Sequence, residues 1–364
     1  MLWLVALFAC TPTPDTGADT GLVEDPFLAP DLAGDWLVAS EDYAIPGPDG
    51  LELDAQLWFP ATEADDELYE YGGYFTSLAY EDGVPDCSRP RPVLVFTHGN
   101  TGMRYQSVFL TERLASRGWV VVAPDHKYNT FSDYEDEKLG EVMFRRPLDV
   151  AASFDWLLEQ AVPGGLLEGC VDEAAGYAVA GHSFGGFTSA AVAGAVIDPL
   201  AVADHCAGHG GWLCNETAAW AEQHPGEMAD LGDPRVWASV PMAPAGYEAL
   251  IGGLGDIIIP GLVLGGSMDT TTSMVDQVQP IFEGWGGRPA FMGEIADAGH
   301  YTFSNACELV PTFDDCEPPY IESSEAHAII NTITTAFLGQ ARGDARYDAW
   351  LPPDDERLQW TVGE

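Results

Sequence analysis

Gly181-His182-Ser183-Phe184-Gly185-Gly186 sets a serine in a G-x-S-x-G arrangement. This spacing marks a sharp turn from strand to helix that strains the serine, exposes its oxygen and leaves room only for glycine on either side. The flanking sequence suits such a turn: Tyr177–Ala180 is a short apolar run, and Phe184–Val196 is small and apolar, a helix able to pack closely. The start of that helix favours negative charge on a substrate oxygen. A serine hydroxyl becomes a nucleophile only when a base takes its proton. Of eight histidines, His300 in Ala298-Gly299-His300-Tyr301 follows the serine and has a Gly-His loop setting suited to that base. His205 and His209 come too soon after the turn, and His327 falls inside a helical stretch. A carboxylate is needed to hold the imidazole tautomer, and Pro260–Gly266, an apolar run ending in glycines, leads to Asp269. Asp276 and Asp297 are rivals, Asp297 being too close to His300 in sequence to reach its far nitrogen easily. The constellation Ser183, Asp269 and His300 is that of acyl transfer through a covalent intermediate.

A second block, His98-Gly99-Asn100-Thr101-Gly102, follows the apolar run Val93–Thr97. A turn there donates one backbone N–H to a developing oxyanion and the residue after the nucleophile donates the other, which assigns the pair to Asn100 and Phe184. His98 precedes the serine and reads as a residue shaping this turn. The chemistry calls for no cofactor and no metal.

Positioning these residues requires a layered fold. Trp36–Pro46 and Leu51–Pro60 flank Gly-Pro-Asp-Gly and read as a hairpin, with acidic loop sequence from there to Pro92. Val93–Thr97, Trp119–Ala123, Val236–Ala243, Pro260–Leu264 and Ala290–Ile295 read as strands, most of them continuous apolar runs buried on both faces. Helical spacing runs through Arg104–Arg117, Met143–Gln160 and Ile321–Leu338, with Pro147 fitting only a first turn. Strands alternating with helices predict an α/β fold: a mostly parallel central sheet, an antiparallel N-terminal hairpin and helices on both faces. One catalytic domain over 31–345 is expected, with a C-terminal tail over 346–364. The insertion 198–233, carrying Trp212 and Trp220, is a possible lid or a structural excursion.

Charge excludes some partners. Fourteen Lys and Arg against 58 Asp and Glu leave a net −44, and the only lysines are Lys127 and Lys138. Such a chain repels phosphate backbones, so nucleic acid is not an expected partner, and the balance suits life in high salt. A monomer is expected. Met1–Ala9 is apolar and too short to span a bilayer, and Leu7-Phe8-Ala9-Cys10 resembles the bacterial lipobox, lacking only the basic residues that usually precede it. Residues 1–10 are therefore expected to be a signal segment with lipidation at Cys10, the one membrane attachment. Residues 11–30 read as a disordered tether, and the Asp-Thr-Gly repeats in it lack calcium-ligand spacing. The remaining six cysteines, Cys87, Cys170, Cys206, Cys214, Cys307 and Cys316, imply three disulfides and an exported protein, a cell-envelope lipoprotein or a secreted one. Short separations pair Cys206 with Cys214 and Cys307 with Cys316. His205 and His209 beside Cys206 have zinc-like ligand types, but an oxidised pair leaves no thiolate for a metal. Asn215-Glu216-Thr217 matches a glycosylation sequon that carries no meaning on a bacterial lipoprotein.

Taken together, the blocks at Ser183, His98 and His300 resemble the α/β-hydrolase superfamily across Leu51–Leu338. Gly-His-Ser-Phe-Gly-Gly, Arg145-Arg146-Pro147-Leu148-Asp149-Val150 and Gly-His-Tyr-Thr-Phe are similar to the dienelactone-hydrolase-like group, related to platelet-activating-factor acetylhydrolases and cutinase-like polyester-cleaving enzymes. Dienelactone hydrolases use cysteine where Ser183 stands, so the resemblance implies a carboxylesterase acting on a small-molecule or polymeric ester. A serine peptidase and a non-catalytic binding protein on the same scaffold are the alternatives; no propeller-sized extension exists to screen peptides. In the sheet of that superfamily the strands at Val93 and Tyr177 are parallel neighbours. The resemblance thus sets Cys87 and Cys170, left over from the local pairs, side by side upstream of adjacent strand starts.

Overall fold

The computed structural model describes residues 27–363. The expected signal segment, Cys10 and most of the tether lie outside the described residues. The end of that tether belongs to the domain instead: the Arg117 guanidinium donates to the carbonyl oxygens of Leu28 (3.1 Å) and Ala29, and Phe27 meets the edge of Tyr347.

Among the described residues twelve strands form one sheet: β1 (Leu37–Pro46), β2 (Glu52–Glu63), β3 (Leu68–Tyr71), β4 (Phe75–Tyr80), β5 (Val84–Pro85), β6 (Val93–Thr97), β7 (Val120–Pro124), β8 (Tyr177–His182), β9 (Val236–Met242), β10 (Gly261–Gly266), β11 (Ala290–Ile295) and β12 (Leu358–Val362). Their order is β12-β11-β10-β9-β8-β6-β7-β2-β1-β4-β3, with β5 beside β2. The run from β7 to β11 is parallel, and β2 and β12 close it antiparallel on its two sides. The helices are α1 (Val108–Ser116), α2 (Leu139–Gln160), α3 (Phe184–Val192), α4 (Pro199–His209), α5 (Cys214–Gln223), α6 (Tyr247–Leu250), α7 (Gln279–Gly284), α8 (Ala306–Leu309) and α9 (Ser323–Ala341).

Both faces of the parallel run are covered, which explains its unbroken apolar sequence. Leu94, Phe96, Val121 and Ala180 pack with α1 and α9 on one face. Val93, Val95, Val122 and Val179 pack with Phe154 and Leu157 of α2 on the other. The sequence order turns back at β6, since β7 lies on one side of it and β8 on the other. Crevices open at the carboxyl ends of strands where the order reverses. The chain after Thr97 and after His182 leaves the sheet at that point, with Thr97 paired to Gly181.

Further expectations change. The stretch up to Pro92 is not loop: β3 and β4 form there because Tyr71 is buried, its hydroxyl accepting from Trp58 Nε1 (2.7 Å) and donating to Glu112 Oε1 (2.7 Å). Glu112 on α1 then accepts from the amides of Leu78 (2.8 Å) and Ala79 (2.9 Å), tying the hairpin down. Pro147 lies inside α2, not in its first turn, because burial of Leu139, Val142 and Met143 outweighs the roughly 3 kcal/mol a helical proline costs. The tail contributes β12, whose Trp360 stacks on Phe291 of β11. Helix α1 starts at Val108, since Gly102 to Gln106 make tight turns first.

All three disulfides join the expected partners: Cys87–Cys170, Cys206–Cys214 and Cys307–Cys316. The first spans the starts of the neighbouring β6 and β8 with a Cα separation of 4.4 Å. Among the described residues no helix is long and apolar enough to cross a membrane.

Candidate active site

Ser183 joins β8 to α3 at φ 58°, ψ −117°, a left-handed-side conformation that a side chain rarely adopts. Surrounding contacts hold it there. Its N–H donates to Met242 O (2.9 Å), and its carbonyl accepts from Gly186 N (2.8 Å) and Ala245 N (3.0 Å). The glycines are demanded by close approach. A Cβ on Gly181 would lie 2.3 Å from Gly185 O, and one on Gly185 would lie 1.9 Å from Thr97 O.

His300 follows β11 and meets the serine: its Nε2 lies 3.0 Å from Ser183 Oγ. Its Nδ1 lies 2.8 Å from Asp269 Oδ2. A carboxylate can only accept, so Nδ1 carries the proton and Nε2 is left to accept from the serine hydroxyl. Asp269 closes the loop after β10. Its Oδ1 accepts from the amides of Thr271 (2.7 Å) and Thr272 (2.8 Å), and its Oδ2 from the Thr272 hydroxyl (2.8 Å). Burial pushes this carboxyl up, but its bonds to His300 and Thr272 prevail and hold it at about 2. The rivals are elsewhere. Asp276 caps its own turn through Ser273 (2.7 Å), and Asp297 points to Arg357 (3.5 Å).

The turn after β6 has two amides already used: Gly99 N donates to Gln106 Oε1 (2.9 Å) and Gly102 N to Gly99 O (3.0 Å). Those of Asn100 and Thr101 are left, and Asn100 lines the cavity beside Ser183. Phe184 is the first residue of α3, so its N–H has no partner within the helix. His98 is fully buried, donating from Nδ1 to Gly99 O (2.7 Å) and accepting at Nε2 from His126 N (3.0 Å); it shapes the turn.

Two supports were missed: Arg146 and His182 stand in motifs the sequence offered, but neither was given a role there. Arg146 is wholly buried and donates from Nε to Thr188 Oγ1 (2.9 Å), from one terminal nitrogen to Asn129 Oδ1 (2.6 Å), and from the other to Thr97 Oγ1 (3.1 Å) and His98 O. Asn129 passes this on, donating to Asn100 Oδ1 (2.7 Å). The guanidinium also lies over the Phe184 ring, 4.7 Å from its centroid. The second support is Gln106 with His182: Gln106 Nε2 donates to His182 Nδ1 (2.7 Å), and His182 Nε2 donates to His300 O (3.0 Å).

The cavity over Ser183 and His300 has a volume of about 420 Å³. Its walls include Met103, Phe131, Leu309 and Phe313. The 198–233 excursion supplies none of its lining; Trp212 instead packs edge-on against Phe184. Cys206 and Cys214, being bonded to each other, offer no thiolate to a metal. No protein-family model matches this chain, and no curated protein matches it.

Proposed function

We propose that the chain is a serine hydrolase of the α/β-hydrolase fold that cleaves carboxylic esters. The observation that carries this reading is the unbroken chain from Ser183 Oγ through the His300 imidazole to Asp269, with the serine on a strained turn at the mouth of a crevice. Ser183 Oγ attacks the ester carbonyl while its proton passes to His300 Nε2, and Asp269 stabilises the imidazolium. The Asn100 and Phe184 amides hold the oxyanion, helped by the start of α3. His300 returns the proton to the departing alcohol. Water then repeats the sequence on the acyl-enzyme, releasing the acid and restoring Ser183.

The test is covalent labelling by a fluorophosphonate, together with turnover of p-nitrophenyl acetate. Wild type takes one label at Ser183 and Ser183→Ala takes none and turns nothing over. Turnover by Ser183→Ala at the wild-type rate refutes the mechanism.

Three disulfides support maturation in an oxidising compartment. We extend this to export, with a lipid anchor at Cys10. Mass spectrometry of the membrane fraction tests the anchor, and a chain still carrying Met1 overturns it.

A further inference from the structure

The cavity above Ser183 is walled on one side by a short segment stapled at both ends. Leu309, Val310 and Phe313 reach the cavity from between Cys307 and Cys316, whose disulfide closes that segment into a loop. The loop is bound to the turn carrying the catalytic histidine. Phe313 stacks on Tyr301 at 4.3 Å, and Asp315 Oδ2 accepts from Tyr301 N (2.7 Å). At its near end, Asn305 N donates to Gln106 O (2.7 Å), and Asn305 Oδ1 accepts from Phe109 N (3.1 Å). A wall held at both ends and through its middle has a fixed shape, which an excursion hinged at one point does not.

The cavity's chemistry is selective in a second way. Among the described residues that line it there is no Asp, Glu, Lys or Arg, although the chain carries 58 acidic residues. Met103 and Phe131 join Leu309 and Val310 in its apolar lining, and its polar lining, Gln106, Asn100 and Thr101 among it, is uncharged amide and hydroxyl beside the histidines. A substrate carboxylate or phosphate would find no Lys or Arg among the lining, and the net −44 of the chain would oppose its approach.

Resting on the reading of Ser183 as nucleophile, we propose that the Cys307–Cys316 loop is the substrate-selecting wall and that it admits uncharged esters by their apolar chain. Each methylene taken up by this wall raises kcat/KM about fourfold, the roughly 0.8 kcal/mol of burying a CH₂ converted at about 1.36 kcal/mol per tenfold. A charged chain end cancels that gain.

The experiment measures kcat/KM for p-nitrophenyl acetate, butyrate and hexanoate and for mono-p-nitrophenyl adipate, alongside fluorophosphonate labelling of each variant. Wild type favours hexanoate over acetate and turns over the adipate more than tenfold slower than hexanoate. Leu309→Ala lowers the hexanoate-to-acetate ratio about tenfold, chiefly through the KM of hexanoate. The Cys307→Ser/Cys316→Ser pair lowers the same ratio while Ser183 still takes the probe. Leu200→Ala, an exposed position in the excursion outside the cavity, keeps the wild-type ratio. A wild-type chain that takes no probe overturns the nucleophile reading and the wall with it. Labelling with an unchanged ratio in both wall variants, or adipate turned over as fast as hexanoate, overturns the wall alone.

Discussion

Replacing Arg146 by methionine is the sharpest probe of how the proposed oxyanion turn is held. The guanidinium is wholly buried, and burial lowers its pKa to about 9, so it is still charged at neutral pH. Methionine keeps much of the length and removes the charge and every donor. Two of the four acceptors are hydroxyls that can rotate: Thr188 Oγ1 already donates to Phe184 O (2.9 Å), and Thr97 Oγ1 keeps His126 Nε2 at 2.7 Å. The other two, His98 O and Asn129 Oδ1, lose the guanidinium. At about 1–3 kcal/mol for each unsatisfied buried acceptor, the loss is about 2–6 kcal/mol. Removing an expensive buried cation returns part of it, so a net destabilisation of about 1–4 kcal/mol is expected. The kinetic effect is more specific. Asn129 is freed from the guanidinium and Asn100 loses its fixed neighbour, so the turn loosens where charge develops. A misplaced oxyanion donor costs up to about 10²–10³ in kcat. We expect kcat to fall about ten- to a hundredfold with KM within about twofold, and the fluorophosphonate labelling rate to fall in parallel. Arg146→Lys does not rescue it, because an ammonium cannot reproduce the fork. Denaturant melts and p-nitrophenyl acetate kinetics on the same preparation decide the matter. A variant that unfolds cooperatively and keeps the wild-type kcat refutes the positioning role.

Asp269→Asn is expected to lower kcat by a factor on the order of 10³–10⁴, and Asp276→Asn to leave it within about twofold, measured on the same ester. The Asp269 carboxyl sits near 2 when folded, below its ordinary 3.8, so its stabilisation is present above about pH 4 and is lost as pH falls through 2. That share is about 2 kcal/mol, and the stability gap between wild type and Asp269→Asn should close by this amount between pH 6 and pH 2 in urea melts; a gap constant with pH contradicts it. Cys87–Cys170 spans 83 residues and Cys206–Cys214 only 8, so chain entropy predicts losses of about 4–5 and about 2–3 kcal/mol for the respective double serine variants. Equal losses in denaturant midpoints would count against that model. Molar chloride should raise the melting temperature by screening carboxylate repulsion across a chain of net charge −44; a flat or falling melting temperature disproves it.

What was legible in the sequence follows from how each element is buried. Val93–Thr97 matches its strand residue for residue, because apolar neighbours on both faces leave a continuous signal after Pro92; Ala290–Ile295 matches as well, marked off by Pro289 although Glu294 interrupts its apolar run. The residues set together at the site were also legible, since a strained turn, a Gly-His loop and a post-strand carboxylate each have local requirements. The strands between Glu63 and Pro92 were obscured by acidic residues on their exposed side, although Tyr69, Tyr71 and Phe75 had supplied a weak alternation. The tail strand Leu358–Val362 is mostly half-buried at the sheet edge and has no apolar run to give it away. The role of Arg146 was not legible. Its acceptors come from positions 97, 98, 129 and 188, a set that no periodicity in the chain brings together.

Ser183 and His300 are kept in register by hydrogen bonds that run behind them. They stand 117 positions apart on separate loops, yet their atoms sit at 3.0 Å. One series of hydrogen bonds crosses behind them: Gly99 N to Gln106 Oε1, Gln106 Nε2 to His182 Nδ1, and His182 Nε2 to His300 O. It ties the turn at 99, the strained turn at 183 and the histidine loop at 300 into one frame. The series works only while His182 is neutral, since one ring nitrogen must accept and the other donate. Burial, with His300 close by, lowers that ring to about 3 and keeps it neutral well below the ordinary histidine range. The strain at Ser183 is thereby distributed. Glycines allow the turn, Met242 and Ala245 hold its backbone, and the neutral His182 beside it is bonded to the backbone of His300.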